Sequence, residues 1–73
     1  MKKPWQIMLS SSGLTLEVVD AHAPKEALDV YAVRELSRRG VELTNDCSPW
    51  MQLCRTNGCS AKYTVADGFR IFI

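Results

Sequence analysis

The feature that most constrains this chain is one stretch between Pro24 and Gly40. Lys25 to Arg39 contains no glycine and no proline and is rich in good helix formers, while turn signals divide the rest of the sequence into short pieces. Proline suits a first helical turn, because its missing N–H would be unpaired there anyway. Leu28, Tyr31, Ala32 and Leu36 recur at helical spacing and form an apolar stripe. Arg34, Arg38 and Arg39 crowd the last turns, where positive charge suits the helix dipole; Glu35 can pair with Arg39 one turn on, and Gly40 is the expected stop. The spacing predicts one helix, Pro24–Arg39.

The flanking pieces read as strands. Trp5 to Leu9 and Leu14 to Val18 alternate around Ser10-Ser11-Ser12-Gly13, which is the signature of a β-hairpin. A register that places Leu9 opposite Leu14, Ile7 opposite Leu16 and Trp5 opposite Val18 puts all six on one face. After Gly40, Val41 to Thr44 reads as a short strand and Asn45 to Pro49 as a loop. Trp50 to Thr56, Cys59 to Ala66 and Phe69 to Ile73 read as three further strands joined at Asn57-Gly58 and Asp67-Gly68. Three-residue turns with a glycine bulge would collect Met51, Leu53, Ala61, Tyr63, Val65, Phe69, Ile71 and Ile73 on one side. The expected fold is therefore a single α+β domain over residues 1–73. It has two layers, one helix on a mostly antiparallel sheet of four to five strands, in the order ββαβββ. The expected core is Leu16, Val18, Leu28, Tyr31, Leu36, Leu53, Tyr63, Val65 and Ile71.

Length and charge narrow the function classes. With 73 residues, nine basic against eight acidic side chains, and a net charge of +1, the chain lacks the basic excess of a protein that grips nucleic acid by bulk charge. The apolar fraction of 47% excludes disorder, and no apolar run is long enough to span a bilayer. Ile7-Met8-Leu9 is too short for a secretory core before Ser10 interrupts it, so a cytoplasmic protein with reduced thiols is expected. Chains of this size bury only about 60% of their unfolded surface and are marginally stable.

No catalytic motif is present, and no enzymatic activity is expected. Cys47, Cys54 and Cys59 contain no C-x-x-C pair, and His22 is distant in sequence, so neither a metal site nor a cofactor is expected. In the hairpin register, Cys54 and Cys59 point to opposite faces, which disfavours a disulfide between them. A nucleophilic cysteine with His22 as base lacks an orienting third group. His22 reads instead as a capping or solvent-exposed residue at the helix entrance.

Two surfaces remain as candidates for binding. One is the helix end with Arg34, Arg38 and Arg39. The other is the sheet face that a single helix leaves bare, carrying Lys62, Arg70 and Phe72, with Trp50 at its rim or as a lid on the core. Cations beside aromatics suit an acidic protein surface or a phosphate backbone.

The hairpin, the helix opening Ala23-Pro24-Lys25-Glu26-Ala27-Leu28 and the Asn-Gly and Asp-Gly turns give a chain that resembles small proteins of phages and mobile elements. In size and expected architecture it is similar to several anti-CRISPR proteins. These share no motif among themselves, so the resemblance assigns no residue a role. It implies a stoichiometric inhibitor that acts in a host cytoplasm by binding a multi-subunit nuclease or nucleoprotein complex. The alternative is a small nucleic-acid-binding regulator that uses the open sheet face.

Overall fold

The computed structural model describes all residues, Met1–Ile73. Its elements run β1 (Lys3–Met8), β2 (Thr15–Ala21), α1 (Pro24–Arg38), α2 (Pro49–Asn57), β3 (Thr64–Ala66) and β4 (Arg70–Phe72). The class is α+β, but the order is ββααββ with a second helix and four strands. The sheet is mixed, in the order β2-β1-β4-β3: β1 pairs antiparallel with β2 and parallel with β4, and β3 closes an antiparallel hairpin on β4.

The first hairpin starts in the expected register and then leaves it. Leu9 N–H donates to Leu14 O at 2.9 Å, and Met8 lies opposite Thr15. Between Met8 and Ile7 the register shifts, because β2 carries one extra residue, Leu16, at a β-bulge. Beyond it Ile7 lies opposite Glu17, and Trp5 opposite Val19. The bulge reverses which residues of β2 point inward. Val19 and Ala21 are buried, whereas Val18 is 51% exposed and Leu16 37% exposed, so neither joins the core.

Helix α1 forms as its sequence dictates, with Pro24 in the first turn and Arg39 as its C-cap. Ala23 offers no capping side chain; Glu26 reaches back instead and accepts from the backbone N–H of the exposed His22 at 3.0 Å. Gly40 adopts φ 69° and turns the chain so that Val41 N–H donates to Leu36 O at 2.9 Å. The stripe Ala27, Leu28, Tyr31, Ala32 and Leu36 is buried in one cluster with Trp5, Ile7, Val19, Ala21 and Ile71.

Residues 50–56 form helix α2, not a strand. Ser48 accepts from Met51 N–H at 3.3 Å as its N-cap, and Pro49 occupies the first turn. Trp50, Leu53 and Cys54 then fall on one buried helical stripe that packs against α1. Asn57-Gly58 ends this helix instead of turning a hairpin, with Gly58 in the left-handed conformation at φ 69°. Val41–Thr44 is not a strand either. Its polar backbone is satisfied by the buried Gln52, whose amide donates to Glu42 O at 2.6 Å and accepts from Thr44 N–H at 2.9 Å.

Of the expected Cys59–Ala66 strand, only Thr64–Ala66 pairs with a neighbour. Its partner register is Val65 opposite Ile71, closed by the three residues Asp67-Gly68-Phe69. Gly68 and Phe69 both take positive φ, 79° and 57°. For phenylalanine that conformation is uncommon. It is held by an edge-on contact of Phe69 with Trp5, ring centroids 5.4 Å apart, and by Gln6 N–H donating to Phe69 O at 2.8 Å. Ile71 is fully buried between β1 and β3, while Tyr63 is 38% and Val65 45% exposed. These two were expected in the core; they fall outside it because β3 is a short edge strand with no helix above it.

Candidate binding surface

Strand alternation assigns the two faces of the sheet. Trp5, Ile7, Val19, Ala21 and Ile71 point to the helices, which leaves Gln6, Met8, Val18, Asp20, Arg70 and Phe72 on the opposite side. The pairing places them in rows. Arg70 lies beside Gln6, and Gln6 beside Val18; Phe72 lies between Met8 and Thr64. The Arg70 guanidinium sits over the Phe72 ring at 5.9 Å, and its Nε donates to Asp67 O at 2.9 Å. Both helices belong to the other side, so this face is bare.

Of the seven residues singled out from the sequence, Arg70 and Phe72 sit together on that face. Lys62 does not join them: it is exposed in the irregular segment before β3. Trp50 is not at the rim but in the core, 6% exposed, with Nε1 donating to Ala61 O at 2.8 Å. Its backbone N–H also donates to Asp29 on α1 at 3.2 Å. Trp50 is therefore the clamp that holds α2 and the segment after it.

The helix arginines are committed to partners. Glu17 lies opposite Ile7 and so faces α1, where it pairs with both Arg34 and Arg38. Glu35 pairs with Arg38 and, at 3.9 Å, with Arg39; Arg39 also donates to Asn57 at the end of α2. The cluster knits β2, α1 and α2 together, at the modest strength of surface ion pairs.

Alternation alone could not have found Met8, Gln6 and Val18 as neighbours of Arg70. That neighbourhood depends on the parallel pairing of the two strands farthest apart in sequence, β1 and β4. A second basic-aromatic contact also escaped the sequence reading: Lys3 Nζ lies 5.3 Å from the Phe69 ring, at the edge of the sheet.

The molecule also has a cavity of about 220 Å³, lined by residues that include Leu9, Leu16, Tyr31, Trp50, Leu53 and Ile73. Burial there pushes the Tyr31 hydroxyl above its ordinary pKa, with the charges of Glu35 and Glu17 adding to the effect. All three cysteines are free thiols: Cys47 half-buried, Cys54 buried and Cys59 exposed. No group of three or more His, Cys, Asp or Glu side chains is placed to hold a metal ion, and no helix is long and apolar enough to cross a membrane. Compared with protein-family models, curated proteins and solved structures, the chain matches none.

Proposed function

We propose that this chain is a small non-enzymatic binding module whose bare sheet face docks on a protein partner. The observation that carries the reading is the patch itself: Arg70 stacked on Phe72, flanked by Met8, Gln6 and the half-exposed Val18, with no helix over it. Arginine and aromatic side chains supply most of the energy at protein interfaces. Here they are fixed on a sheet, which lowers the ordering cost of binding. The helix arginines, by contrast, would have to break their pairs with Glu17 and Glu35 to serve a partner.

A protein surface suits the patch better than a phosphate backbone. Asp20 shares the face with Arg70, so the positive charge that a nucleic acid requires is largely cancelled. The resemblance to anti-CRISPR proteins was drawn from a ββαβββ order, and the ββααββ order does not carry it. What it contributes is the kind of partner to try first, a multi-subunit nuclease or nucleoprotein complex.

The test is capture of partners from a phage-host lysate by the tagged full chain, comparing Arg70→Glu and Phe72→Ala with Arg34→Glu. Loss of the captured complex in the first two, with all three variants folded, supports the proposal. Loss confined to Arg34→Glu moves the site to the helix. Binding to single-stranded nucleic acid that falls steeply with salt replaces the protein reading with the nucleic-acid one.

A further inference from the structure

The end of α2 holds an arrangement that the sheet-face reading leaves unused. Gly58, at φ 69°, turns the chain back so that Cys59 N–H donates to Cys54 O at 2.9 Å. Gly40 closes α1 in the same way, with Val41 N–H on Leu36 O at 2.9 Å. This closure brings together the side chains on either side of the glycine, normally as an apolar contact. At α1 the pair is Leu36 and Val41. At α2 both members are cysteines, and both line the 220 Å³ cavity. The third cysteine, Cys47, lies elsewhere, with its Sγ 3.6 Å from Arg55 Nη1. Two thiols are thus held by one backbone turn, one buried and one exposed.

We propose that Cys54 and Cys59 form a reversible dithiol–disulfide site that exchanges with low-molecular-weight disulfides. The exposed Cys59, as thiolate, attacks one sulfur of the disulfide R–S–S–R, forming Cys59–S–S–R and releasing one thiolate. Cys54 then loses its proton to solvent and attacks the Cys59 sulfur, releasing the second thiolate and closing the Cys54–Cys59 bond. Two protein thiols are oxidised, and one small disulfide is reduced to two thiols.

The order of attack follows from the surroundings. Burial pushes the Cys54 thiol up, and the neighbouring Cys59 adds to this, so Cys54 is a poor first nucleophile and the resolving one. The negative end of the α2 dipole also opposes thiolate formation here, so exchange quickens as pH rises. The closed bond would fix the last turn of α2 and one wall of the cavity. The proposal is independent of which surface binds a partner.

The experiment equilibrates the full chain with mixtures of reduced and oxidised glutathione, quenches it with acid, and alkylates and maps the remaining thiols by mass spectrometry. Expected on oxidation is a fall from three alkylated cysteines to one, Cys47, with a Cys54–Cys59 link that dithiothreitol reverses. Cys47→Ser should fall from two to none. Cys54→Ser should stop at a glutathione adduct on Cys59, and Cys59→Ser should leave Cys54 free. Three alkylated thiols in excess oxidised glutathione, a link to Cys47, or a lasting glutathione adduct on wild-type Cys59 would each overturn the proposal. Wild-type mapping decides the question even if a serine variant fails to fold.

Discussion

Residues 3–38 and residues 41–73 are built on different terms. In the first part each element packs on its sequence neighbour: β1 on β2, then α1 across both. In the second part almost nothing does. Helix α2 docks on α1, and β4 pairs in parallel with β1 from the far end of the chain. Only the three-residue strands β3 and β4 turn directly on one another. The first part is a template held by many local contacts; the second is attached to it through a few residues. Ile71, Trp50 and Gln52 are the main attachments, and the bare binding face exists only because β4 is seated beside β1.

The sharpest way to break this contrast is at Ile71. It is fully buried and central in the sheet, whereas its cross-strand partner Val65 is 45% exposed. Ile71→Ala should cost about 2–5 kcal/mol, a large share of what a domain of this size possesses. Val65→Ala, on the same pair of strands, should cost less than about 1 kcal/mol. Urea denaturation of both variants measures the difference. Equal losses would mean that β3, and not β4, anchors the second part.

The same contrast decides how much was legible in the sequence. Pro24, Gly40 and the 3.6-residue stripe of α1 are local signals, and they specify the helix to within one residue of its end. Five expected core residues are buried: Leu28, Tyr31, Leu36, Leu53 and Ile71. The hairpin was legible at its turn but not past Leu16, because a bulge leaves alternation intact on each strand and only changes how the two meet. Asn57-Gly58 was misread because the dipeptide suits two structures. Its left-handed glycine can close a hairpin or end a helix. Ser48-Pro49 at one end, and Trp50, Leu53 and Cys54 on one stripe, pointed to the helix. For the binding face, Arg70 and Phe72 were legible as side chains alternating outward on the last strand. Trp50 was not placed correctly, since its burial follows from the helix.

Gln52 tests whether the linking segment depends on α2. Its side chain replaces strand pairing for residues 42–44, so Gln52→Ala leaves Glu42 O and Thr44 N–H without their partner. A loss of about 1–3 kcal/mol is expected. Hydrogen exchange should quicken in residues 41–47 and change little in β1 and β2. Uniformly faster exchange would show that the two parts unfold as one unit.

Gly58 offers a smaller and cleaner perturbation. A Cβ there meets no atom within 4 Å, so Gly58→Ala introduces backbone strain without a clash. The expected cost is about 1 kcal/mol, as for other residues forced to positive φ. Gly40→Ala carries the same φ and the same open surroundings at the end of α1, and should cost a similar amount. A much larger loss at Gly58 would mean that the turn does more than end its helix, since it also sets Cys59 against the cavity.

The smallest effect lies in the segment that joins the two parts. Asp46 accepts a hydrogen bond from Thr44 and is also bonded by Cys47, and with Arg55 at 3.2 Å nearby its carboxyl is held below the ordinary aspartate value. A carboxyl with a lowered pKa in the folded chain stabilises the fold above its unfolded pKa. That contribution is lost as pH falls through the folded value. Thermal melts of wild type and Asp46→Asn should therefore differ slightly at neutral pH and converge towards about pH 2. Thr44→Val removes the largest cause of the shift and should narrow the neutral-pH gap between the carboxylate and the amide. Because Asp46 is exposed to solvent, added salt should weaken only the Arg55 contribution and leave the Thr44 bond in place. A gap that disappears in salt would assign the effect to Arg55 on α2, which ties the linker to the second part. A gap that survives assigns it to Thr44, within the linker itself.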